Sequence, residues 1–185
     1  MALTKTPICD FGKKADQFQL KSIDNKMISL NDAKGENGTL IMFICNHCPY
    51  VKAVINEIVS DCKELEKEGI KSVAIMSNDV VNYPDDSFDK MIEFSKENGF
   101  GFPYLIDETQ EIAKKYDAVC TPDFFGYNKN LELQYRGRIR ELKDLKPIEG
   151  GESDLLKAMK MIAKTGQGPK EQVPSMGCNI KWFKN

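Results

Sequence analysis

The sequence predicts an α/β protein whose central mixed sheet is covered by helices on both faces. Three observations carry this. Residues 39–44 (Thr-Leu-Ile-Met-Phe-Ile) and 70–76 are continuous apolar runs of strand length, the pattern of strands buried on both faces. Between them Val51, Val54, Ile55, Ile58, Val59, Cys62 and Leu65 form one apolar stripe at helical spacing. Strands alternate with helices from residue 39 to 116, and two strands and a helix follow.

The elements read in order. Residues 17–30 alternate weakly about the turn signal Asp24-Asn25, with Phe18 and Leu20 before it and Met27, Ile28 and Leu30 after; this predicts a hairpin. Residues 34–38 are a polar loop. The helix after the first buried strand stops at Gly69. Pro84, Asp85, Asp86 and Ser87 open a second helix with Phe88, Met91 and Ile92 on its apolar face and Gly99 at its end. A short strand at 102–106 and a short helix at 108–116, apolar at Ile112 and Tyr116, come next. Residues 123–127 and 131–139 predict an antiparallel pair across Asn128-Lys129-Asn130. Gly150-Gly151 marks a loop. Ser153 caps a last helix bearing Leu155, Leu156, Met159 and Ile162, which Gly166 ends. The tail, 167–185, has Pro169, Pro174 and Gly177 and no period, so it reads as irregular. The expected division is one domain, 1–185, with a hairpin extension (1–38), a core (39–166) and the tail.

Composition narrows the function classes. A chain of 185 residues has one domain as its prior. Twenty-six Lys and Arg against 28 Asp and Glu give a net charge of −2, no electrostatic footprint for nucleic acid or an anionic membrane. No apolar run approaches the ~20 residues of a membrane span, and residues 1–14 hold no apolar leader core. The expectation is a cytoplasmic protein with neither nucleic-acid nor membrane partners. Six cysteines, Cys9, Cys45, Cys48, Cys62, Cys120 and Cys178, are too few for a disulfide scaffold. In a reducing compartment a close pair is redox-active or metal-binding, and the close pair is Cys45 and Cys48.

The first predicted strand ends at Cys45 and the first helix begins there. Unpaired backbone N–H groups and the positive end of the helix dipole favour a thiolate at that point, and the thiolate is the nucleophile. The spacing puts Cys48 one turn on, within disulfide reach, and Pro49 is tolerated in a first turn. His47 is the one histidine in the chain. It is either a solvated spacer or, partly protonated, a group that stabilises the Cys45 thiolate and raises the redox potential; its position, exposed by construction, favours tuning. Thr121-Pro122 precedes a strand, and its peptide is either cis in a tight turn or an ordinary trans bond at an edge. Cys62 lies on the apolar stripe as a small core residue.

With these motifs in place, the order of elements resembles the thioredoxin fold. Ala15-Asp-Gln-Phe-Gln-Leu20 and Asn25-Lys-Met-Ile-Ser-Leu30 resemble the opening of the alkyl hydroperoxide reductase and thiol-specific antioxidant (redoxin) family. Cys45-Asn-His-Cys-Pro-Tyr50, Phe102-Pro-Tyr-Leu-Ile-Asp-Glu-Thr-Gln-Glu111, Cys120-Thr-Pro-Asp-Phe-Phe125, Tyr135-Arg-Gly-Arg138 and Gly177-Cys-Asn-Ile-Lys-Trp182 resemble its peroxiredoxin-like subgroup. The resemblance covers nearly the whole chain. It implies that Cys45 attacks and Cys48 resolves, that Pro122 is a cis-proline beside the pair, and that the backbone of Thr121 pairs with an extended substrate segment.

There are departures. Peroxiredoxins carry P-x-x-x-T-x-x-C, with the last Cys peroxidatic and followed by Pro. With Cys48 and Pro49 there, Cys45 stands at the Thr position and Ile41 at the Pro position, and no arginine precedes Arg136. Thioredoxins bury an acid in the strand before the pair; residues 39–44 have none, which leaves Asp123 as a candidate proton acceptor. Cys120 is expected near the pair, being two residues before Pro122. Cys178 is either a third redox thiol, paired with Cys120, or a buried tail cysteine. Cys9 is a bystander.

The leading reading is a thiol–disulfide oxidoreductase serving redox homeostasis, acting on a disulfide-containing protein or small thiol and recharged by a thiol reductant, with no cofactor and no metal. The alternative is a thiol peroxidase with antioxidant activity, resolving a sulfenic acid within the pair. A third is soft-metal binding through Cys45, His47 and Cys48 with Cys120 or Cys178; a second close pair, usual for structural zinc, is missing. The sequence does not disclose the oligomeric state.

Overall fold

The first element is one that no hydropathy pattern announces. In the computed structural model, which describes residues 3–184, Leu3–Lys5 forms β1. The expected hairpin follows as β2 (Gln19–Ser22) and β3 (Met27–Ser29), turning at Asn25 with φ 64°. Asn is among the residues that tolerate this left-handed region. Ser29 caps the one-turn α1 (Leu30–Ala33) through a capping box with Asp32, which satisfies two orphan N–H groups at once. Then come β4 (Gly38–Phe43), the long α2 (Pro49–Lys67) and β5 (Ile70–Met76). A 3-10 turn at Pro84–Asp86 leads into α3 (Phe88–Glu97). The chain continues through β6 (Tyr104–Ile106), α4 (Glu111–Lys115), β7 (Cys120–Thr121), β8 (Asp123–Asn128) and β9 (Leu133–Tyr135). A small hairpin, β10 (Leu142–Lys143) and β11 (Lys146–Pro147), precedes α5 (Asp154–Thr165) and β12 (Met176–Asn179).

Seven strands form the main sheet in the order β3-β2-β6-β5-β4-β8-β9. β4 and β6 flank β5 in parallel, while the outer pairings are antiparallel. The hairpin expected as an extension is therefore one edge of this sheet. Alternation along β4 explains its unbroken hydrophobicity. Leu40 and Met42 pack with Val51, Ile58, Leu155 and Met159 of α2 and α5. Ile41 and Phe43 face the opposite way, against Phe18, Ile112, Tyr116 and Phe125. Truncating such a residue to Ala costs about 2–5 kcal/mol. Among the described residues, no helix is long and apolar enough to cross a membrane.

Three expectations need correction, and one element was not expected. The buried face of α3 is Met91, Phe94 and Ser95, while Ile92 is 37% exposed; one residue past Met91 is ~100° around the helix. The strand expected at 131–139 stops at Tyr135, because Arg136 turns its side chain inward onto Asp123. The β10–β11 hairpin had no sequence signal. Above all, the tail, irregular over 167–175, holds a strand at Met176–Asn179. β12 lies between β1 and β7 in a second, three-stranded sheet, with Leu3 opposite Cys178 and Cys178 opposite Thr121. Gly177 makes this approach feasible, since a Cβ there would stand 2.0 Å from Thr121 O. Ser175 Oγ donates to Pro122 O at 2.8 Å, and Lys181 N to Asn78 Oδ1 at 2.8 Å.

Candidate functional site

The site lies where β4 ends and α2 begins, as the sequence predicts, but the helix starts later than expected. Pro49 is its first residue and Cys48 its N-cap, with φ −66° and ψ 122°. The unpaired N–H groups of a helix N-terminus therefore belong to Cys48. The N–H groups after Cys45 are already engaged. Asn46 N donates to Asp86 Oδ1 at 2.8 Å and His47 N to the same oxygen at 3.4 Å.

Asp86 organises this turn and was not singled out by the sequence. Fully buried, it reaches the loop from the 3-10 turn. Its second oxygen holds His47 Nδ1 at 2.6 Å and accepts from Asn78 Nδ2 at 2.8 Å. The His47 ring stacks on Tyr83, centroids 5.8 Å apart, and its side chain is 17% exposed. It is thus a half-buried, fixed group and not at the exposed position expected. Its pKa is raised by the hydrogen bond it donates to Asp86, against the opposing effect of burial. Tyr104 OH donates to Asn46 Oδ1 at 2.9 Å and closes the turn from the sheet side.

Both sulfurs are buried, and the geometry divides the charge between them unequally. The Cys48 thiol is lowered to about 5, first by a hydrogen bond from Cys45 and then, against burial, by Thr121, Cys178 and the Val51 N–H. One contact opposes this: Thr121 O, 3.1 Å from Cys48 Sγ, accepts from the thiol and repels the thiolate. The net direction is downward. Cys45 is raised well above the ordinary thiol value, first by donating to Cys48, then by burial and the Asp86 charge. Cys48 is thus the more acidic sulfur of the pair, whereas the sequence reading placed the thiolate on Cys45. The physical reasons are the later helix start and the engagement of the Asn46 and His47 N–H groups by Asp86.

The Thr121–Pro122 peptide is cis. The Thr121 hydroxyl lies 3.4 Å from Cys45 Sγ. Thr121 pairs in register with the chain's own Cys178, where the resemblance implied a substrate strand. Cys178 shares the buried apolar cluster of Cys48. Cys120 is turned away, its Sγ 3.6 Å from Pro122 O, with burial pushing its pKa up. Asp123 does not serve the pair: its carboxylate is held by Arg136 at 3.0 Å and by Val119 N at 3.2 Å. Cys9 packs with the opposite face of the sheet and Cys62 in the α2 core, as bystander and core residue. Beside Pro122 a cleft of about 280 Å³ opens between Tyr50, Ile139 and Met176.

Cys45, His47 and Asp86 bring ligand-type atoms within 4.8 Å of one another. A cation there would have to displace the N–H donors that already satisfy both Asp86 oxygens. The donor set is therefore better suited to orienting His47 than to holding a metal.

Residues 11–142 match the model of the AhpC/TSA family. The chain belongs to the AhpC/TSA family. Within that frame it is 29% identical to the thiol-disulfide oxidoreductase ResA of Bacillus thuringiensis subsp. konkukian over 130 residues, 69% of either chain. A crystal structure of an uncharacterized conserved protein from Geobacillus kaustophilus is 40% identical, with TM-score 0.94, covering 100% of this chain and 98% of that one. A thioredoxin family protein from Chlorobium tepidum, described as a thiol:disulfide interchange protein, superposes with TM-score 0.63 at 18% identity, covering 82% and 97%. The architecture of this AhpC/TSA member is accordingly thioredoxin-like.

Proposed function

We propose that this AhpC/TSA protein is a thiol–disulfide oxidoreductase working through the Cys45–Cys48 pair. The observation that carries the reading is the buried Cys45–Cys48 pair at the start of α2, both sulfurs set against Thr121 of the cis Thr121–Pro122 peptide. Similarity to ResA supports the reaction class. In the first step the Cys48 thiolate attacks one sulfur of a substrate disulfide; a mixed disulfide forms and the other sulfur leaves as a thiolate. That thiolate takes the Cys45 proton, with His47 as the titrating group at the rim. Cys45 then attacks Cys48, the Cys45–Cys48 bond forms, and the second substrate thiol departs. The substrate is reduced by two electrons and the pair oxidised by two. A thiol reductant restores the pair. A protein or small-thiol disulfide as substrate and a part in redox homeostasis belong to the same proposal, supported by reaction class, and a cytoplasmic address is proposed from composition alone.

The peroxidase reading keeps one observation in its favour, an acidic Cys48 followed by Pro49. Against it, Cys45 occupies the place of the peroxide-orienting Thr, and Arg136 is engaged by Asp123. The deciding experiment offers the reduced protein one equivalent of oxidised glutathione or of hydrogen peroxide, with stopped-flow rates and peptide mapping. Fast exchange with the disulfide, slow reaction with peroxide and a Cys45–Cys48 bridge support the oxidoreductase. Fast consumption of peroxide through a Cys48 sulfenic acid replaces it with the peroxidase. Single Cys→Ser variants show which sulfur captures glutathione first, and capture on Cys45 reverses the order of attack.

A further inference from the structure

Cys178 is a buried thiol that the two-cysteine cycle leaves without a task. Sequence reasoning offered Cys120 as its partner, and the sheet geometry answers otherwise. Residues directly opposite in an antiparallel pair project from the same face, and neighbours along a strand from opposite faces. Cys178 stands opposite Thr121, whose hydroxyl lies 3.4 Å from Cys45 Sγ, whereas Cys120 stands opposite Asn179. Cys178 thus shares the face turned to the redox pair and Cys120 does not. Two further observations agree. Cys48 Sγ lies 3.1 Å from Thr121 O, the same carbonyl against which Gly177 is packed with no room for a Cβ. Cys178 and Cys48 also lie in one buried apolar cluster.

We propose that Cys178 is a second resolving thiol for Cys48, forming a Cys48–Cys178 disulfide that ties β12 to the start of α2. The inference rests on the oxidoreductase reading and adds a branch to it. Cys48 attacks the substrate disulfide and releases the first thiolate, which takes the proton of Cys178. The Cys178 thiolate attacks the Cys48 sulfur; the Cys48–Cys178 bond forms, the bond between Cys48 and substrate breaks, and the second substrate thiol leaves. Electrons balance as before: two pass to the substrate, and one disulfide appears in the protein. Cys45, still a thiol, can then attack Cys48 in turn, releasing Cys178 and moving the disulfide to Cys45–Cys48. β12 reports the state of the cycle, since one disulfide fastens it and the other leaves it free.

The test compares Cys45→Ser with the double variant Cys45→Ser/Cys178→Ser, each given one equivalent of oxidised glutathione, quenched with an alkylating agent and mapped by mass spectrometry. Circular dichroism first confirms that both keep the wild-type fold. The expected result is that Cys45→Ser yields a Cys48–Cys178 peptide and returns both glutathiones. Release from it should be at least about tenfold faster than from the double variant, the gain from a thiol held next to the mixed disulfide. The double variant stops at glutathionylated Cys48. If Cys45→Ser also stops there, with Cys178 fully alkylated, the inference falls while the oxidoreductase reading survives. If glutathione is captured at neither Cys45 nor Cys48 in any single variant, both fall. Wild-type protein quenched early in the reaction provides a readout without substitution: a transient Cys48–Cys178 peptide supports the branch, and its absence at every time point overturns it.

Discussion

Asp86 shows how one carboxylate can set the chemistry of its neighbours. It holds His47 by the imidazole, takes the N–H groups that follow Cys45, and sets a negative charge near that sulfur. Its own pKa is lowered although burial works the other way, chiefly because His47 and Asn78 donate to it. Because the chain has one histidine, proton NMR reads its titration without overlap. The expected midpoint for His47 lies above 6.5, and Asp86→Asn brings it down; a wild-type midpoint at or below 6.5 refutes the pairing. The sign of the stability effect follows. A histidine raised by its partner contributes fully below the unfolded value of ~6.5, and that contribution is lost as pH rises through the folded value. Asp86, being lowered, contributes above its unfolded value and loses the contribution only in strong acid. The cysteines give a second prediction. Cys45→Ala removes the largest stabilising donor to Cys48, so the Cys48 pKa should rise from about 5 toward an ordinary thiol. Thiolate absorbance against pH measures it, and an unchanged midpoint would mean that the helix N-terminus alone sets the acidity. Cys45, His47 and Cys48 were legible in the sequence because they are contiguous. Asp86 was legible only as a helix-start residue, since nothing local shows that its turn folds back onto the pair.

At the scale of elements, what was legible depended on period and caps. α2 declared itself by its apolar stripe, and α5 by Ser153 at one end and Gly166 at the other; both hold in the structure, where the Ser153 hydroxyl accepts from Leu156 N at 2.9 Å and Gly166 sits at φ 75°. β12 did not declare itself. Met-Gly-Cys-Asn has no alternation and two poor strand formers. It is a strand because β1 and β7, far away in sequence, pair with its two edges. A strand held by partners and not by propensity is sensitive to its fit. Gly177→Ala should dislodge β12, since the added methyl group meets the backbone carbonyl of Thr121 and not a flexible side chain. The expected outcome is faster alkylation of Cys48 and Cys178 and loss of amide protection at 176–179, with far-UV circular dichroism little changed. Unchanged protection would show that the neighbouring strand yields instead.

Taken whole, the molecule places its redox pair on a well-packed sheet and its covering strand on a lighter one. The Asp123–Arg136 pair is one tie beneath the site. The guanidinium bonds the carboxylate at 3.0 Å and Asp117 O at 2.6 Å, joining β8, the end of β9 and the turn after α4. Arg136→Ala strands a buried carboxylate and should cost about 3–5 kcal/mol in urea unfolding. The double variant Asp123→Asn/Arg136→Met should recover part of that, and a single-variant loss under ~1 kcal/mol would show that water reaches the carboxylate. The lighter sheet behaves differently under load. Leu3 faces Cys178 and Lys5 faces Met176, so β1 and β12 run out of their pairing side by side. A pull that separates residues 3 and 179 breaks this ladder rung by rung, because hydrogen bonds perpendicular to the strands are then loaded singly and not together. Whatever is joined at either end acts as a handle on the site. Tension peels β1 from β12 before the seven-stranded sheet feels it, an early, short lengthening in optical tweezers that opens one edge of β12 beside Cys178.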